Sequence, residues 1–513
     1  MTLSLMIKKL NSMVVGLCLG GTVAMAAGES TPAQPPGETV TIHDLIVAAL
    51  NTNLELQAKR IDPQLQQFKI KEAWGSFDPT FGVAGWYSVT DQPQNQRDFL
   101  ATGSTSRIYN EHLIHYEAGF TGKLPTGAQY SISSSIERSD NTFNEQAAAL
   151  YRPEFMTRTS ITLTQPLLRD FGTNVNLAEV HLSKTALAVS RQELNATVIK
   201  VLAQVSSAYF EMVFGQENVG VKQEAVHLAQ NLVRESERRV QEGKMSIVDV
   251  VQARQRLSEA QEELVLAHNF LAQRRNTLRS LTRDHIDFDE ADWFVEGSFL
   301  SRVAPHINRN ALVLALFEHS PTYLGQIELA KAEDVRIAYA KNQLWPHVDL
   351  KASFGENGLS GGWSTAYTDI RNRREPSWSA GLVVNVPITA RTERARIAEA
   401  KSRKAQALLN IKQVEVQLLS AFDSAIQDLK SAEDRLDLVR ESVKLAETAL
   451  HAEEKRLENG TTTSYNVAVL QKDLSTARSR ELATYVDLNK AVTALYALVG
   501  TLPDQLQTEV KFN

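Results

Sequence analysis

The sequence predicts an α-helix-dominated protein: long coiled-coil helices joined to a membrane β-barrel, with two structural repeats per chain. Three observations predict this. The chain repeats itself at fixed offsets, its longest apolar patterns step by fours and threes, and the segments between them alternate with a period of two. Ala73 and Pro79 correspond to Ala340 and Pro346, an offset of 267 that Ile70 and Ile337 share. Leu194, Val201, Val205, Ala208, Met212 and Val226 map onto Ile411, Leu418, Phe422, Ala425, Leu429 and Val443 at an offset of 217. Gly243 and Gly460 keep that second offset, as do Leu278 and Leu495. A repeat this long cannot be a solenoid unit, so each copy is a large structural half. The fall in offset places about 50 extra residues in the first copy, between Pro79 and the second stretch.

The chain opens with Lys8 and Lys9, an apolar run from Met13 to Ala24, and the small-x-small pattern Ala24-Met25-Ala26. Residues 1–26 therefore read as a secretory signal, the run being shorter than the roughly 20 residues that span a bilayer. Cys18, the single cysteine, follows Leu17, where a lipid-attachment site needs a small residue. Cleavage after Ala26 leaves a chain without cysteine, as suits an envelope protein that uses no disulfides. A net charge of −6 over 513 residues argues against a nucleic-acid partner. No later segment is continuously apolar for long enough to be a membrane helix. Any crossing after cleavage falls to strands.

A Pro-rich leader, residues 27–40, precedes the first repeat, residues 41–284. Within it, Thr41 to Phe77 reads as helix, matched by Asn308 to Leu344 in the second repeat, residues 307–500; Pro79 and Pro346 follow the two ends. Residues 285–306 form a linker between the repeats, and residues 501–513 a tail. The longest helices run from Asn176 to Gln241 and from Thr392 to Glu458, each reaching roughly 100 Å. Leu418, Phe422, Ala425, Leu429, Ala432, Leu436, Val439, Val443, Ala446 and Leu450 form a heptad seam, which marks coiled-coil packing. Gly243 and Gly460 end these helices at the usual C-terminal glycine position. Return helices follow from Ile247 to Arg283 and from Tyr465 to Val499. In each copy two shorter helices sum to the length of the long one, so they are expected to stack end to end beside it.

Between the helices, Ile114, Tyr116, Ala118 and Phe120 alternate with His115, Glu117, Gly119 and Thr121. Tyr130, Ile132 and Ile136 alternate with Gln129, Ser131 and Ser135, and Pro125-Thr126-Gly127 supplies the turn between the two runs. Further strands are expected over Thr80–Val89, Thr157–Gln165, His347–Gly355 and Trp378–Val386. Such alternation suits a barrel wall and equally a soluble sheet with one face on a core. The signal sequence and the lack of a membrane helix favour the barrel. Tyr116, Phe120 and Tyr130 are then the lipid-facing positions.

Several segments together resemble the TolC-like outer membrane efflux channel family, over nearly all of the mature chain. They are the opening helix TIHDLIVAALNTNLELQA and its echo LALFEHSPTYLGQIELA, Pro79 and Pro346, the junction Gln165-Pro166-Leu167-Leu168-Arg169-Asp170-Phe171-Gly172, and the turns EGKMSIVDVVQA and NGTTTSYNVAVLQ. The resemblance implies a homotrimer in the outer membrane with a long periplasmic tunnel. It also implies an exit duct for a tripartite efflux pump or type I secretion system, driven by an inner-membrane RND or ABC transporter through a periplasmic adaptor. Two strands per half would give a twelve-stranded barrel; the Pro125 hairpin is surplus to that count and either extends the barrel or sits outside it as a loop. Gln165, Pro166, Gly172 and Pro387 would mark the strand–helix junctions. Gly243, Lys244, Met245, Ser246 and Gly460, Thr461, Thr462, Thr463 would form the tip that meets the adaptor. The family places acidic residues six positions after the glycine. Asp249 holds that place in the first copy and Asn466 in the second, so the entrance constriction would carry one carboxylate per subunit. Leu457 and Thr462 stand where other members place polar latches. Ser246 and Thr463 also read as plain caps of the return helices.

The chain has no Walker loop, paired-glycine dinucleotide motif, HExxH or nucleophile elbow. His43, His181, His227 and His268 are scattered singly. It is therefore read as a non-enzyme without cofactor or metal. Two other classes compete with the duct. A periplasmic adaptor predicts a single helical hairpin between lipoyl-like β halves. A purely structural coiled-coil envelope protein needs no amphipathic strands.

Overall fold

The computed structural model describes residues 39–97, 99, 107–144, 149–283, 294–295, 307–373 and 375–506. The signal segment, nearly all of the leader and of the linker, and the end of the tail lie outside the described residues. A short strand β1 (Thr39–Val40) leads into helices α1 (Ile42–Thr52) and α2 (Leu54–Gly75). Strands β2 (Thr80–Pro93), β3 (Ile108–Lys123), β4 (Gln129–Asn141) and β5 (Glu154–Pro166) follow, then a single turn α3 (Thr173–Asn176), α4 (Ala178–Gln241) and α5 (Ile247–Thr282). After β6 (Phe294–Val295), which pairs in parallel with β1, the second copy begins. It comprises α6 (Arg309–His319), α7 (Pro321–Asn342), β7 (His347–Ser360), α8 (Trp363–Arg373), β8 (Glu375–Asn385), α9 (Arg391–Glu458), α10 (Ser464–Val499) and α11 (Leu502–Gln505). The bounds of α1 and α2 plus 267 give those of α6 and α7, and the bounds of α5 plus 217 give those of α10. The duplication is thus structural.

The helices form a single wall. Next to the sheet its order is α2–α4–α7–α9, and farther away it is α5–α4–α10–α9. Of the two long helices, only α4 is flanked on both sides. Its middle is correspondingly apolar, with Val201, Leu202, Val205, Tyr209 and Met212 wholly enclosed. In the second repeat the seam buries Leu418, Phe422, Leu429, Ala432 and Leu436 against Tyr485, Leu488 and Leu495 of α10. The short helices do stack end to end. Thr52 Oγ1 donates to the carbonyl of Thr282 at 2.7 Å, and Asn53 Nδ2 to that of Leu281 at 3.0 Å. In the second copy Gly500, at φ +89°, ends α10 so close to α6 that a Cβ there would stand 2.6 Å from the His319 carbonyl oxygen.

The continuous opening helix expected in each copy is broken once. Asn53 takes an extended backbone (ψ 120°) and its side chain accepts from Leu56 N, starting α2 as a fresh helix. Ser320 is also extended (ψ 114°) before Pro321, whose ring disfavours the helical region for the preceding residue.

The sheet has six strands in the order β2-β3-β4-β5-β7-β8, every pair antiparallel. Of the two places open to the Pro125 hairpin, the structure has it within the sheet: β3 and β4 lie between β2 and β5, and they account for the extra length of the first copy. The registers place Phe81, Phe120, Ile132, Ile161, Phe354 and Trp378 opposite one another in one row across all six strands. Tyr116 and Tyr130 lie on that same face, to either side of the row. From Phe81 to Val89 the apolar face of β2 rises about 21 Å at a 40° tilt, close to the hydrocarbon band of an outer-membrane barrel. This face is interrupted by polar residues at Ser134, Thr157, Thr159 and Glu356. Helix α8, which the sequence pattern did not reveal, packs over that spot. The buried Thr157 hydroxyl donates to the Ala366 carbonyl at 2.9 Å, and Ser134 Oγ lies 3.3 Å from the Tyr367 hydroxyl.

Candidate functional site

Two places gather the residues singled out by the sequence: the turns at the far end of the helical wall, and the junction where strands become helices. At the tip, Gly243 and Gly460 adopt φ +73° and +72°, the left-handed region in which glycine costs nothing. The two turns close with the same bonds. Lys244 N donates to the Arg239 carbonyl at 2.9 Å, and Thr461 N to the Arg456 carbonyl at 3.0 Å. A Cβ at either glycine would meet nothing within 4 Å, so the glycines are required by backbone conformation and not by space.

The return helices start differently. Ser246 Oγ accepts from Val248 N at 3.3 Å, and the Asp249 carboxylate accepts from Ser246 N at 3.2 Å, a reciprocal capping box. Asp249 is half-buried and its carboxylate turns back onto its own helix start. Thr463 stands at the N-cap of α10 with an extended backbone but makes no side-chain cap bond, contrary to the expectation for it. Ser464 Oγ instead reaches across to the Asp249 carbonyl at 3.4 Å, tying one turn to the other.

Leu457 is buried with Leu232, Val233, Leu450, Val467 and Leu474, and Met245 packs against that cluster. Its carbonyl accepts from Arg239 at the end of α4, in the opposite repeat. The same guanidinium donates Nε to Glu235 at 2.7 Å, which holds the Glu235 carboxyl below its ordinary value. Glu242 is likewise held low by Lys244, 2.8 Å away. Thr462 Oγ1 donates to Glu453, a carboxylate only 9% exposed, and Asn466 Nδ2 donates to Thr462 Oγ1 at 3.0 Å. Arg456 binds the other Glu453 oxygen at 3.0 Å. The chain Arg456–Glu453–Thr462–Asn466 thus rigidifies the second turn, and Arg239 links it to the first. Sequence reasoning missed Arg239 and Glu453. Consecutive arginines in the last turn of α4 are an ordinary helix-dipole feature, and a main-chain acceptor in the other repeat leaves no local signal.

At the junction, Gly172 N donates to the Thr126 carbonyl at 3.1 Å, and Gln165 Nε2 donates to the Pro166 carbonyl at 2.8 Å. Gly127, at φ +96°, lets the Pro125-Thr126-Gly127 turn dock there, since a Cβ would lie 2.2 Å from the Asp170 carbonyl oxygen. The second repeat holds this corner from the other side. Asn342 Oδ1 accepts from Asp170 N at 2.8 Å, and Gln343 Nε2 donates to the Asp170 carboxylate at 2.6 Å. The hairpin turn therefore sits at the helical end of the sheet. Pro387 is exposed between β8 and α9 and stands apart from these bonds.

The arrangement is a long wall with a membrane-suited sheet at one end and two tied turns at the other. Among the described residues no group of three or more His, Cys, Asp or Glu is placed to hold a metal. A sequence profile described as outer membrane efflux protein matches residues 127–282 and 326–501. The outer membrane efflux protein BepC of Brucella suis biovar 1 (strain 1330) is 24% identical over 352 residues, covering 68% of this chain and 74% of the relative. The crystal structure of CusC superposes with a TM-score of 0.63 at 14% identity, over 92% of this chain and 95% of CusC. The outer membrane protein VceC of Vibrio cholerae gives a TM-score of 0.60 at 16% identity, over 90% of this chain and 96% of VceC. At such identities the likeness is one of fold.

Proposed function

The chain belongs to the outer membrane efflux protein family, and on that premise we propose that three copies form the exit duct of a tripartite efflux pump or type I secretion system. The protein is an outer membrane channel with a long helical periplasmic part, and not an enzyme. Adaptor and purely structural readings have no use for a six-stranded sheet with one apolar and one hydroxyl-rich face. Solute would move passively, driven by an inner-membrane RND or ABC transporter through a periplasmic adaptor that docks on the Gly243 and Gly460 turns.

The observation that supports closure into a ring is the pair of open edges of the wall. On α9, Leu409, Val416, Leu438 and Leu445 lie about 200° round the helix from the buried seam, and all four are more than half exposed. On α2, at the other edge, Ile61, Leu65 and Phe68 form an exposed i, i+4, i+7 stripe. A second seam on each side has no partner within one chain, and ring closure supplies it. Strands β2 and β8 are unpaired on their outer sides in the same way, and closure removes those edges too. Purified protein run unheated on a detergent gel is expected to migrate as a heat-labile species of three chains. Migration as a monomer, with Leu438→Asp behaving like the wild type, would refute the closed ring.

A further inference from the structure

We propose that the outer-membrane part of the duct is an eighteen-stranded barrel with a wide, hydroxyl-lined waist, which passes solutes too bulky for a twelve-stranded one. The inference rests on the three-copy duct proposed above and takes its strand count from the sheet. Each chain contributes six neighbouring strands, because β3 and β4 pair along their whole length with β2 and β5. Strand β2 leaves the helical end and β8 returns to it, so the edges of adjacent copies meet antiparallel and three sheets close without a free edge.

The widths of the two halves support the count. Four helices side by side, at about 9 Å each, make a wall about 36 Å wide per chain. Six strands about 4.8 Å apart and tilted by about 40° span about 38 Å, whereas four would span about 25 Å. A six-stranded sheet therefore continues the helical tunnel at the same perimeter without a steeper tilt. Eighteen such strands give a backbone diameter of about 36 Å, against about 24 Å for twelve. Removing a side-chain layer of about 5 Å from each wall leaves a bore of about 26 Å, against about 14 Å.

The inner face supplies the chemistry. One full row across the sheet is Gly82, Gly119, Ser133, Ser160, Gly355 and Ser377. The next row toward the helices is composed only of threonine and serine, from Thr80 to Ser379. These rows share the sheet with the bulky outer row of Phe81 and Trp378, on the opposite face. Small hydroxyl and glycine positions do not fill the bore, and the charges of this face stand in the rows on either side, Lys123 and Lys351 toward the helices and Glu117, Arg158 and Glu375 away from them. The hydroxyls wet the bore, which suits a hydrated polymer chain or compact peptide better than an apolar solute that needs a lining to adhere to.

The test uses the full chain with Cys18→Ser and Ser160→Cys, assembled in lipid vesicles and labelled from the barrel side with two maleimides. One is small; the other carries a polyethylene-glycol chain whose coil is wider than a twelve-strand bore and narrower than an eighteen-strand one. The two are expected to react at rates within tenfold of each other. Deleting residues 108–141 from the same variant is expected to slow the larger reagent by more than a hundredfold while the small one still reacts. Slowing of that size in the undeleted chain, with the small reagent unimpeded, means a twelve-strand bore and overturns the proposal. Failure of the small maleimide to react, with no heat-labile three-chain species on the gel, overturns the duct reading itself and this proposal with it.

Discussion

Replacing Phe422 tests whether the long helices are held by a buried seam. The ring is fully enclosed, in a cluster that includes Leu316, Leu418, Leu429, Tyr485 and Leu488. Truncation to alanine removes its apolar burial and leaves a cavity in a wall whose helix ends are pinned, at a cost of about 3–5 kcal/mol. Leucine keeps most of the volume and is expected to cost about 1.5 kcal/mol or less. Aspartate adds the desolvation of a charge, several kcal/mol more, so folding and assembly fail together. The nearest carboxylate in sequence behaves oppositely: Asp423 is exposed, paired with Arg309 at 2.6 Å, and Asp423→Ala should cost under about 1 kcal/mol. The assay is the amount of heat-labile oligomer extracted from membranes, together with its melting temperature, for Leu, Ala and Asp at position 422. The expected order is wild type, Leu, Ala, Asp, with Asp at background. Wild-type amounts of oligomer from Phe422→Asp would refute the seam.

Gly127→Ala puts a Cβ at a left-handed φ and against the Asp170 carbonyl. It should lower stability by at least the about 1–2 kcal/mol of that backbone penalty, read as a fall in melting temperature. Asp249→Asn should weaken the capping box by about 1 kcal/mol and lower the cation preference of the channel; unchanged ion selectivity would assign the carboxylate to capping alone. Arg239→Ala removes the guanidinium from the Leu457 carbonyl and from Glu235, a loss of about 1.5–3 kcal/mol in ties between the turns, and should raise the conducting fraction of channels at low voltage. The folded-state pKa of Glu235 lies below its ordinary value of 4.5, so the contribution of the Glu235–Arg239 pair is complete above that value and is lost as pH falls through the lower, folded one. Tip behaviour should therefore be flat from pH 7 to 5 and change only in more acidic solution, where the Glu235 share of the Arg239→Ala effect should vanish while the share due to the Leu457 carbonyl persists.

Helices were legible in the sequence because heptad spacing is a local signal repeated over many turns, and because each copy vouches for the other. The breaks at Asn53 and Ser320 were less so. They exist to let α1 and α6 abut the ends of α5 and α10, and in the first copy that contact joins its two opposite ends. Both strands of the Pro125 hairpin were visible as alternation, but alternation gives faces and not neighbours. Only the registers with β2 and β5 place the hairpin within the sheet. Helix α8 was missed because its sequence is polar and short, and it folds against a polar patch assembled from three strands. The tip glycines and the Ser246–Asp249 cap were readable from spacing. The Arg239 link was not, since its acceptor is a backbone carbonyl whose side chain is an ordinary buried leucine.

The central claim is that this chain makes a water-filled duct, and single-channel recording in planar bilayers tests it most directly. Purified three-chain assemblies added to one side of a bilayer should produce discrete, uniform conductance steps with a mild preference for cations, and the steps should vanish for assemblies dissociated by heat. Intact heat-labile assemblies that insert without conducting, or steps that persist unchanged after heat dissociation, would contradict it.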